Sequence, residues 1–358
     1  MDKKTGIILV NYKDYARRFL GECRDSLRAQ NYLKELMEVY VVDNVSSEES
    51  LNYLKENYPD AKVIARPDGN YAAANNAGIN AAIKDGCEYF IIANMDTKFD
   101  PDWLFELIKA VESDPNIGIA QSKILLYPQD EEEWKNPKIN TLGNLIHFMG
   151  YGGNSFYGHP DSEHKIEGYP EISYASGCAL IMKKEVFEKI GGYNEEYFMY
   201  HDDVEISWKT RLAGYKIVLV PKSVVYHKYE FNRSIKMIYY MERNRYFVVF
   251  SYYHILTLIL LLPMLAVIEL GMFIFSIKNG WFEARKNLYL YFSKVSNWKK
   301  ILKFRREAKK IRKISEKEAV ASFAGKLMSA KIHDSIFERI VNPCMDIYWK
   351  IIKKLIIW

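Results

Sequence analysis

Short apolar runs alternate with helix-like stretches over the first third of this chain, and that rhythm restricts the fold more than any other feature. Residues 7–11 (Ile-Ile-Leu-Val-Asn), 39–43 (Val-Tyr-Val-Val-Asp), 61–65, 89–93 and 118–122 read as strands. Residues 15–30 carry Phe19, Leu20, Cys23 and Leu27 on one helical stripe. Further helices are predicted at 50–58, 72–85 and 101–113, the last with Pro101 in its first turn. Such alternation predicts an α/β fold: a mostly parallel, Rossmann-like sheet with helices on both faces. Residues 127–173 lose all period and are rich in Pro, Gly, Asn and acids, which predicts a long functional loop region. A strand at 179–182, helices at 184–190 and 204–213, and a strand at 217–220 complete the pattern.

Several of the apolar runs end in acids. Asp43 closes the second strand, and Asp96 closes Phe90-Ile-Ile-Ala-Asn-Met-Asp. Asp202 and Asp203 follow Tyr197-Phe-Met-Tyr-His201, and His227 ends the run that begins at Ile217. In an open α/β sheet, ligands bind beyond the carboxyl ends of the strands. Acids gathered at that edge predict one polar site built around a cation and a diphosphate. Asp96 is the metal candidate, because a nucleotide diphosphate is held by Mg²⁺ or Mn²⁺ with few protein carboxylates. Asp43 and Asn11 fit either a nucleoside contact or an ordinary turn or cap. Asp202, Asp203 and Glu205 fit the dipole and cap of a helix start. They also repel one another, which raises a carboxyl pKa and suits a general base. In Asn70-Tyr-Ala-Ala-Ala-Asn75-Asn76-Ala-Gly78, small side chains allow close approach of backbone or ligand.

At 358 residues the chain can hold one large domain or a domain with an appendage, and 49% hydrophobic content excludes overall disorder. Its four cysteines follow no metal or disulfide spacing. The apolar stretch at 7–10 is too short for a signal peptide and reads as a strand. Charge is uneven: residues 278–358 hold 20 Lys+Arg against 7 Asp+Glu, a net of +13, which leaves −8 for residues 1–277. An acidic body joined to a basic tail predicts an anionic surface as partner.

Taken in order, these motifs resemble the inverting family 2 glycosyltransferases of the GT-A fold, in particular the rhamnosyltransferase-like branch. The matching stretches are Ile8-Leu-Val-Asn-Tyr12, Val41-Val-Asp-Asn44, Gly69-Asn-Tyr-Ala72 with Asn75-Asn76-Ala-Gly78, and Ala93-Asn-Met-Asp-Thr97. They continue with Ser176-Gly-Cys-Ala179, Gly191-Gly-Tyr193, Asp202-Asp-Val-Glu205, Arg211-Leu-Ala-Gly-Tyr215 and Val225-Tyr-His227, with weaker likeness at Arg243-Asn244. The resemblance implies that Asn11 and Asp43 contact the donor nucleoside, with Asn76 nearby. It implies that Asp96 is the second acid of the family's Asp-x-Asp motif and that His227 joins it at the Mg²⁺ or Mn²⁺. Asp203 becomes the base that takes the acceptor hydroxyl's proton, with Asp202 beside it, and Ser176 and Gly177 lie near the acceptor. The chain departs from the motif at Asn94, where the first acid would stand. The implied activity is inverting transfer of a sugar from a dTDP- or UDP-linked donor to a glycan or lipid-linked glycan. The alternative is a non-catalytic glycan-binding or scaffold partner of an assembly complex, for which Asn94 is the one foothold.

The implied division is a GT-A domain at 1–245, an apolar segment at 246–277 and a basic amphipathic helical tail at 278–358. Pro263 divides the apolar segment into halves of 17 and 14 residues. Neither half spans a hydrocarbon core of about 30 Å at ~1.5 Å per residue. A cytoplasmic nucleotide-sugar pool and a basic tail both favour one side of the membrane. The expectation is a re-entrant or interfacial hairpin on the cytoplasmic face of the cell membrane, its basic helices against anionic lipid. No motif for reading nucleic acid accompanies the basic residues, and a homo-oligomer is left open.

Overall fold

The structure, a computed structural model, describes residues 3–229, 235–327 and 337–358. Its strands are β1 Thr5–Tyr12, β2 Met37–Asn44, β3 Lys62–Arg66, β4 Tyr89–Ala93, β5 Thr97–Phe99, β6 Ile117–Leu126, β7 Ile139–Thr141, β8 Asn144–Ile146, β9 Gly152–Asn154, β10 Ala179–Lys183 and β11 Lys216–His227. The helices of the first two thirds are α1 Tyr15–Arg28, α2 Glu48–Asn57, α3 Tyr71–Lys84, α4 Trp103–Ser113, α5 Glu131–Lys135, α6 Lys184–Ile190 and α7 Asp202–Leu212. The main sheet runs β3-β2-β1-β4-β10-β6-β11-β5, with β7 pairing to the end of β6 past the stretch that β10 covers. Pairs β1–β2, β1–β4, β2–β3 and β6–β11 are parallel, whereas β10 is antiparallel to both β4 and β6.

β1 is apolar along most of its length because both faces are covered. Ile7 and Leu9 point to one side, with Leu20, Cys23, Trp103 and Leu107 of α1 and α4. Ile8 and Val10 point to the other, with Ala74, Ile79 and Ala82 of α3. Gly78 permits that second contact: a Cβ there would lie 2.6 Å from Ile8 Cγ2. α3 therefore lies flat on the sheet with its N-terminus at the carboxyl edge. Parallel register aligns Asn11 with Asp43 across β1 and β2, so two strand ends deliver polar side chains to one place.

Two sequence expectations change. Helix α4 starts at Trp103, and Pro101 lies in the turn before it. Residues 127–173 are not featureless: they hold α5, β7 and the β8–β9 hairpin.

The remaining helices are α8 Ile235–Tyr252, α9 Ile255–Lys278, α10 Phe282–Phe292, α11 Val295–Ile311, α12 Glu316–Ala319 and α13 Asn342–Leu355. They pack on α7 through a shared cluster that includes Trp208, Phe247, Leu288, Phe304, Phe323 and Trp349. The expected turn at Pro263 does not occur. The chain breaks at Tyr253 and His254 instead, and α9 runs unbroken for 24 residues with Pro263 inside it. His254 caps the new helix by accepting from Leu256 N at 3.3 Å. Arg305 and Arg312 donate to the last carbonyls of α8, with Arg305 Nη1 2.9 Å from Tyr253 O and Arg312 Nη2 2.9 Å from Tyr252 O. Part of the predicted basic tail, residues 328–336, falls outside the described residues.

Candidate active site

Asp96 and His227 meet because of β5. This three-residue strand pairs antiparallel with the end of β11 in the register His227↔Thr97, and Lys228 N donates to Asp96 O at 2.8 Å. The side chains then stand with His227 Nε2 3.3 Å from Asp96 Oδ2, both buried. Burial acts to raise the Asp96 pKa, but hydrogen bonding and charge from His227, with a hydrogen bond from Tyr15, hold it below the usual carboxylate range. Burial likewise acts to lower His227, while Cys178 and Asp96 together push it up to about 10. Asp96 Oδ1 and His227 Nδ1 are both buried without a hydrogen-bond partner. A buried polar atom left unpaired costs free energy unless something else binds it. Two neighbouring ligands of an octahedral Mg²⁺, at bonds of about 2.1 Å, are themselves about 3 Å apart. The spacing of Asp96 Oδ2 and His227 Nε2 fits two neighbouring ligands of a divalent cation once His227 gives up its proton to the incoming charge.

Asp202 and Asp203 open α7 after a strained segment. Phe198, Tyr200 and His201 have φ of 64°, 64° and 60°, a region that side-chain-bearing residues rarely enter. α8 holds this segment in place. Asn244 Nδ2 reaches the carbonyls of Tyr197, Met199 and Tyr200 at 2.8 Å each. Arg243 Nη2 donates to the carbonyls of Glu196 and Tyr197 at 2.7 and 2.9 Å. Burial and the Asp203 charge raise the Asp202 pKa strongly. Asp203 is also raised by its low-polarity surroundings, less so because the backbone N–H groups of Val204 and Gly177 donate to it. Beside Gly177 the space is open: a Cβ there would meet only Tyr71 Oη, at 3.9 Å. Ser176 N donates to Gln121 Oε1 at 2.8 Å, and Ser176 Oγ accepts from Cys178 N at 3.3 Å.

Tyr71 and Cys178 join the two halves. Tyr71 Oη lies 3.5 Å from Asn94 Oδ1, and the charges of Asp202 and Asp203 act on it. Cys178 hydrogen-bonds His227, and its carbonyl accepts from Asn94 N at 3.0 Å. Sequence reasoning passed over Tyr15, Tyr71 and Cys178. Tyr71 and Cys178 lie inside the stretches Gly69–Ala72 and Ser176–Ala179, whereas Tyr15 only opens the helical stretch at 15–30.

At the β1–β2 end, Asn11 Nδ2 donates to Asp43 Oδ1 at 2.7 Å, and Ser50 Oγ donates to Asp43 Oδ2 at 2.6 Å. Asn11 Oδ1 accepts from Ala16 N at 2.8 Å, which ties this edge to the start of α1. Asn44 Oδ1 and Arg66 Nε nearby are buried without partners. Asn76 donates to Tyr193 O at 2.8 Å and accepts from Tyr193 N at 2.9 Å. The preceding residue, Asn75, is the one with a buried, unpartnered oxygen.

A mostly parallel sheet, in which β10, β5 and β7 run antiparallel to their neighbours, thus carries the Asp96–His227 pair and the Asp202–Asp203 pair on a mixed α/β frame of the GT-A kind. The chain belongs to glycosyl transferase family 2, whose pattern matches residues 7–191. It is 28% identical over 230 residues to the O-antigen biosynthesis protein RfbC of Myxococcus xanthus, which covers 62% of this chain and 17% of that protein. It is 25% identical over 207 residues to N-acetylglucosaminyl-diphospho-decaprenol L-rhamnosyltransferase of Mycobacterium tuberculosis, covering 53% and 66% of the two chains. Among solved structures, GalNAc-T7 with UDP, GalNAc and Mn²⁺ shares the fold, with TM-score 0.55 and 18% identity over 71% of this chain and 48% of that one.

Proposed function

We propose that this protein is an inverting glycosyltransferase that moves a hexose from a UDP- or dTDP-linked donor to a glycan or lipid-linked glycan at a membrane surface. The observation that carries the reading is the pairing of two opposed electrostatic environments, Asp96–His227 and Asp202–Asp203, around Tyr71. Asn11 and Asp43 would hold the nucleoside through the hydrogen-bonding capacity already aligned at the β1–β2 edge. A divalent cation held by Asp96 and His227 would neutralise the leaving diphosphate. The open space beside Gly177 admits the acceptor hydroxyl next to Asp203. As the acceptor oxygen bonds to the anomeric carbon, the bond from that carbon to the diphosphate breaks and the proton passes to the Asp203 carboxylate. Attack from the face opposite the leaving group inverts the configuration. Asp202, raised further, stays protonated and spares Asp203 a second adjacent charge.

The membrane part of the reading rests on α9. Its most apolar 18-residue stretch has a mean hydropathy of 2.6 and is only 17% buried, and Ile259, Leu262, Val267 and Leu270 are all more than half exposed. At ~1.5 Å per residue the helix is about 36 Å long, enough to cross a bilayer. Yet the segments on both sides of it dock on the same body. Arg285 of α10 pairs with Glu242 of α8 at 2.9 Å, and Lys313 N donates to Leu212 O at 2.7 Å. A helix whose two ends return to one body is better suited to lie in the interface than to cross. Exposed Lys299, Lys303, Arg306 and Lys310 on α11 would face anionic headgroups.

Thermal unfolding with UDP, dTDP and GDP, each with and without Mn²⁺, tests the donor site. Stabilisation by one uridine or thymidine nucleotide that grows with Mn²⁺ is the expected result. No stabilisation by any of them would sink the donor reading. Flotation with phosphatidylglycerol vesicles is expected to carry the protein, and Ile259→Glu with Leu262→Glu to release it. Unchanged flotation of that variant would remove α9 from the contact.

A further inference from the structure

The insertion between β6 and β10 gathers three metal-ligating side chains on one turn, away from the Asp96–His227 pair. His159, Glu163 and His164 each bring a ligand atom into a group whose members lie within 4.8 Å of one another. His164 Nε2 stands 3.2 Å from His159 Nδ1. Tetrahedral zinc with Zn–N bonds of about 2.0–2.1 Å sets two imidazole nitrogens about 3.3–3.4 Å apart. We propose that His159, Glu163 and His164 form a Zn²⁺ site, with solvent water as the fourth ligand. Two imidazoles and one carboxylate suit a borderline-soft cation such as zinc, whereas Mg²⁺ and Ca²⁺ favour oxygen alone.

The turn that carries these side chains is already held in shape. Lys123 Nζ pairs with Asp161 at 2.6 Å, and Asp161 N donates to Pro137 O at 2.9 Å. Ile139 N donates to His159 O at 2.8 Å, which fixes the first ligand against β7. The Phe156 ring lies 4.2 Å from the His164 ring, centroid to centroid, and steadies the second. Without metal, one imidazole donates its N–H to the other. With metal, that proton leaves and both nitrogens face the ion. The chain just before His159 reaches toward the catalytic edge through Tyr157. Tyr157 packs on Tyr229 at 6.2 Å, and Tyr229 on His227 at 5.4 Å.

The test is calorimetric titration of the metal-stripped full chain with ZnCl₂, with X-ray fluorescence to fix stoichiometry. His159→Ala, His164→Ala, Glu163→Gln and Asp96→Asn are run in parallel. The expected result is one zinc equivalent that persists in Asp96→Asn, disappears in either histidine variant, and binds at least tenfold more weakly in Glu163→Gln. Because all three side chains lie on a surface turn, the variants should melt where the unmodified protein does in EDTA. Equal zinc uptake by the histidine variants, or weak uptake that never saturates, would overturn the proposal and leave only an adventitious ion.

Discussion

Asp96 and Asp203 belong to one site, yet their surroundings push them in opposite directions. Asp96 faces a histidine whose pKa is raised to about 10 and stays charged despite burial. Asp203 faces another carboxylate in a poorly solvated mouth and holds its proton longer than an ordinary aspartate. The difference lies in the neighbours, since the residue type is the same. A carboxylate with a cationic partner is prepared to hold positive charge, and one buried without a counter-charge is prepared to take a proton.

The largest expected effect follows from removing the proton acceptor. Asp203→Asn should lower kcat about 10²–10⁴-fold while leaving nucleotide binding intact. The variant should also fold well, because an amide oxygen can still accept from the Val204 and Gly177 N–H groups. Stability gives an independent check. The Asp203 pKa is raised in the fold, so its stabilising share is complete below the unfolded value of about 4 and is lost as pH rises through the folded value. A neutral Asn escapes that loss, so the variant should melt no lower than the unmodified protein at pH 8. Full transfer activity in Asp203→Asn would break the assignment.

Next in size is Asp96→Asn, the corresponding change on the other side of the comparison. It should abolish the part of nucleotide stabilisation that depends on Mn²⁺, out of about 2.7 kcal/mol expected at 100 times the dissociation constant. Retained Mn²⁺ dependence would place the cation elsewhere. The acidic limb of kcat/KM comes third. Asp203 is pushed up to about 6, so the rate should rise roughly tenfold per pH unit below that value and level off above it. A limb near pH 4 would mean that Asp203 is not held in the environment described above.

Much of the fold was readable because buried parallel strands announce themselves as continuous apolar runs, and β1, β2 and β4 did so. The acids at their ends followed. Three features lay beyond reach for physical reasons. β5 is three residues long, too short for any period, yet its pairing sets Asp96 beside His227. Helix α3 is lined with alanine, so nothing in its pattern told which of Asn75 and Asn76 faces the sheet edge. The helix expected at 204–213 forms as α7, but its all-round burial was not legible: it buries Glu205, Lys209, Thr210 and Arg211 as well as its apolar residues, with Lys209 paired to Glu205 at 2.8 Å. A helix buried on all sides shows no amphipathic stripe. Pro263 misled in the other direction. Proline in a helix removes one hydrogen bond and strains another, which suggested a break. The capped break at His254, with Glu316 accepting from its N–H at 2.8 Å, is where the chain turns instead.

The finest test of the contrast is Tyr15→Phe, because Tyr15 touches only the charged side. Its hydroxyl hydrogen-bonds Asp96, and its ring packs on Phe19 at 4.8 Å. Phenylalanine keeps the ring and deletes the hydrogen bond, so α1 should stay in place and the melting temperature should barely move. What changes is the hold on Asp96, which loses one of the donors that fix its orientation and keep it ionised. Partners of this kind typically govern metal affinity by about 10–100-fold, and Tyr15 should fall at the lower end because His227 remains. The Mn²⁺ concentration for half-maximal activity should therefore rise about tenfold, with kcat at saturating Mn²⁺ within a factor of about three. The acidic limb near pH 6 should not shift, since Asp203 does not touch this residue. If that limb moved as much as the Mn²⁺ requirement did, the two halves of the site would be one coupled unit and the contrast between them would fail.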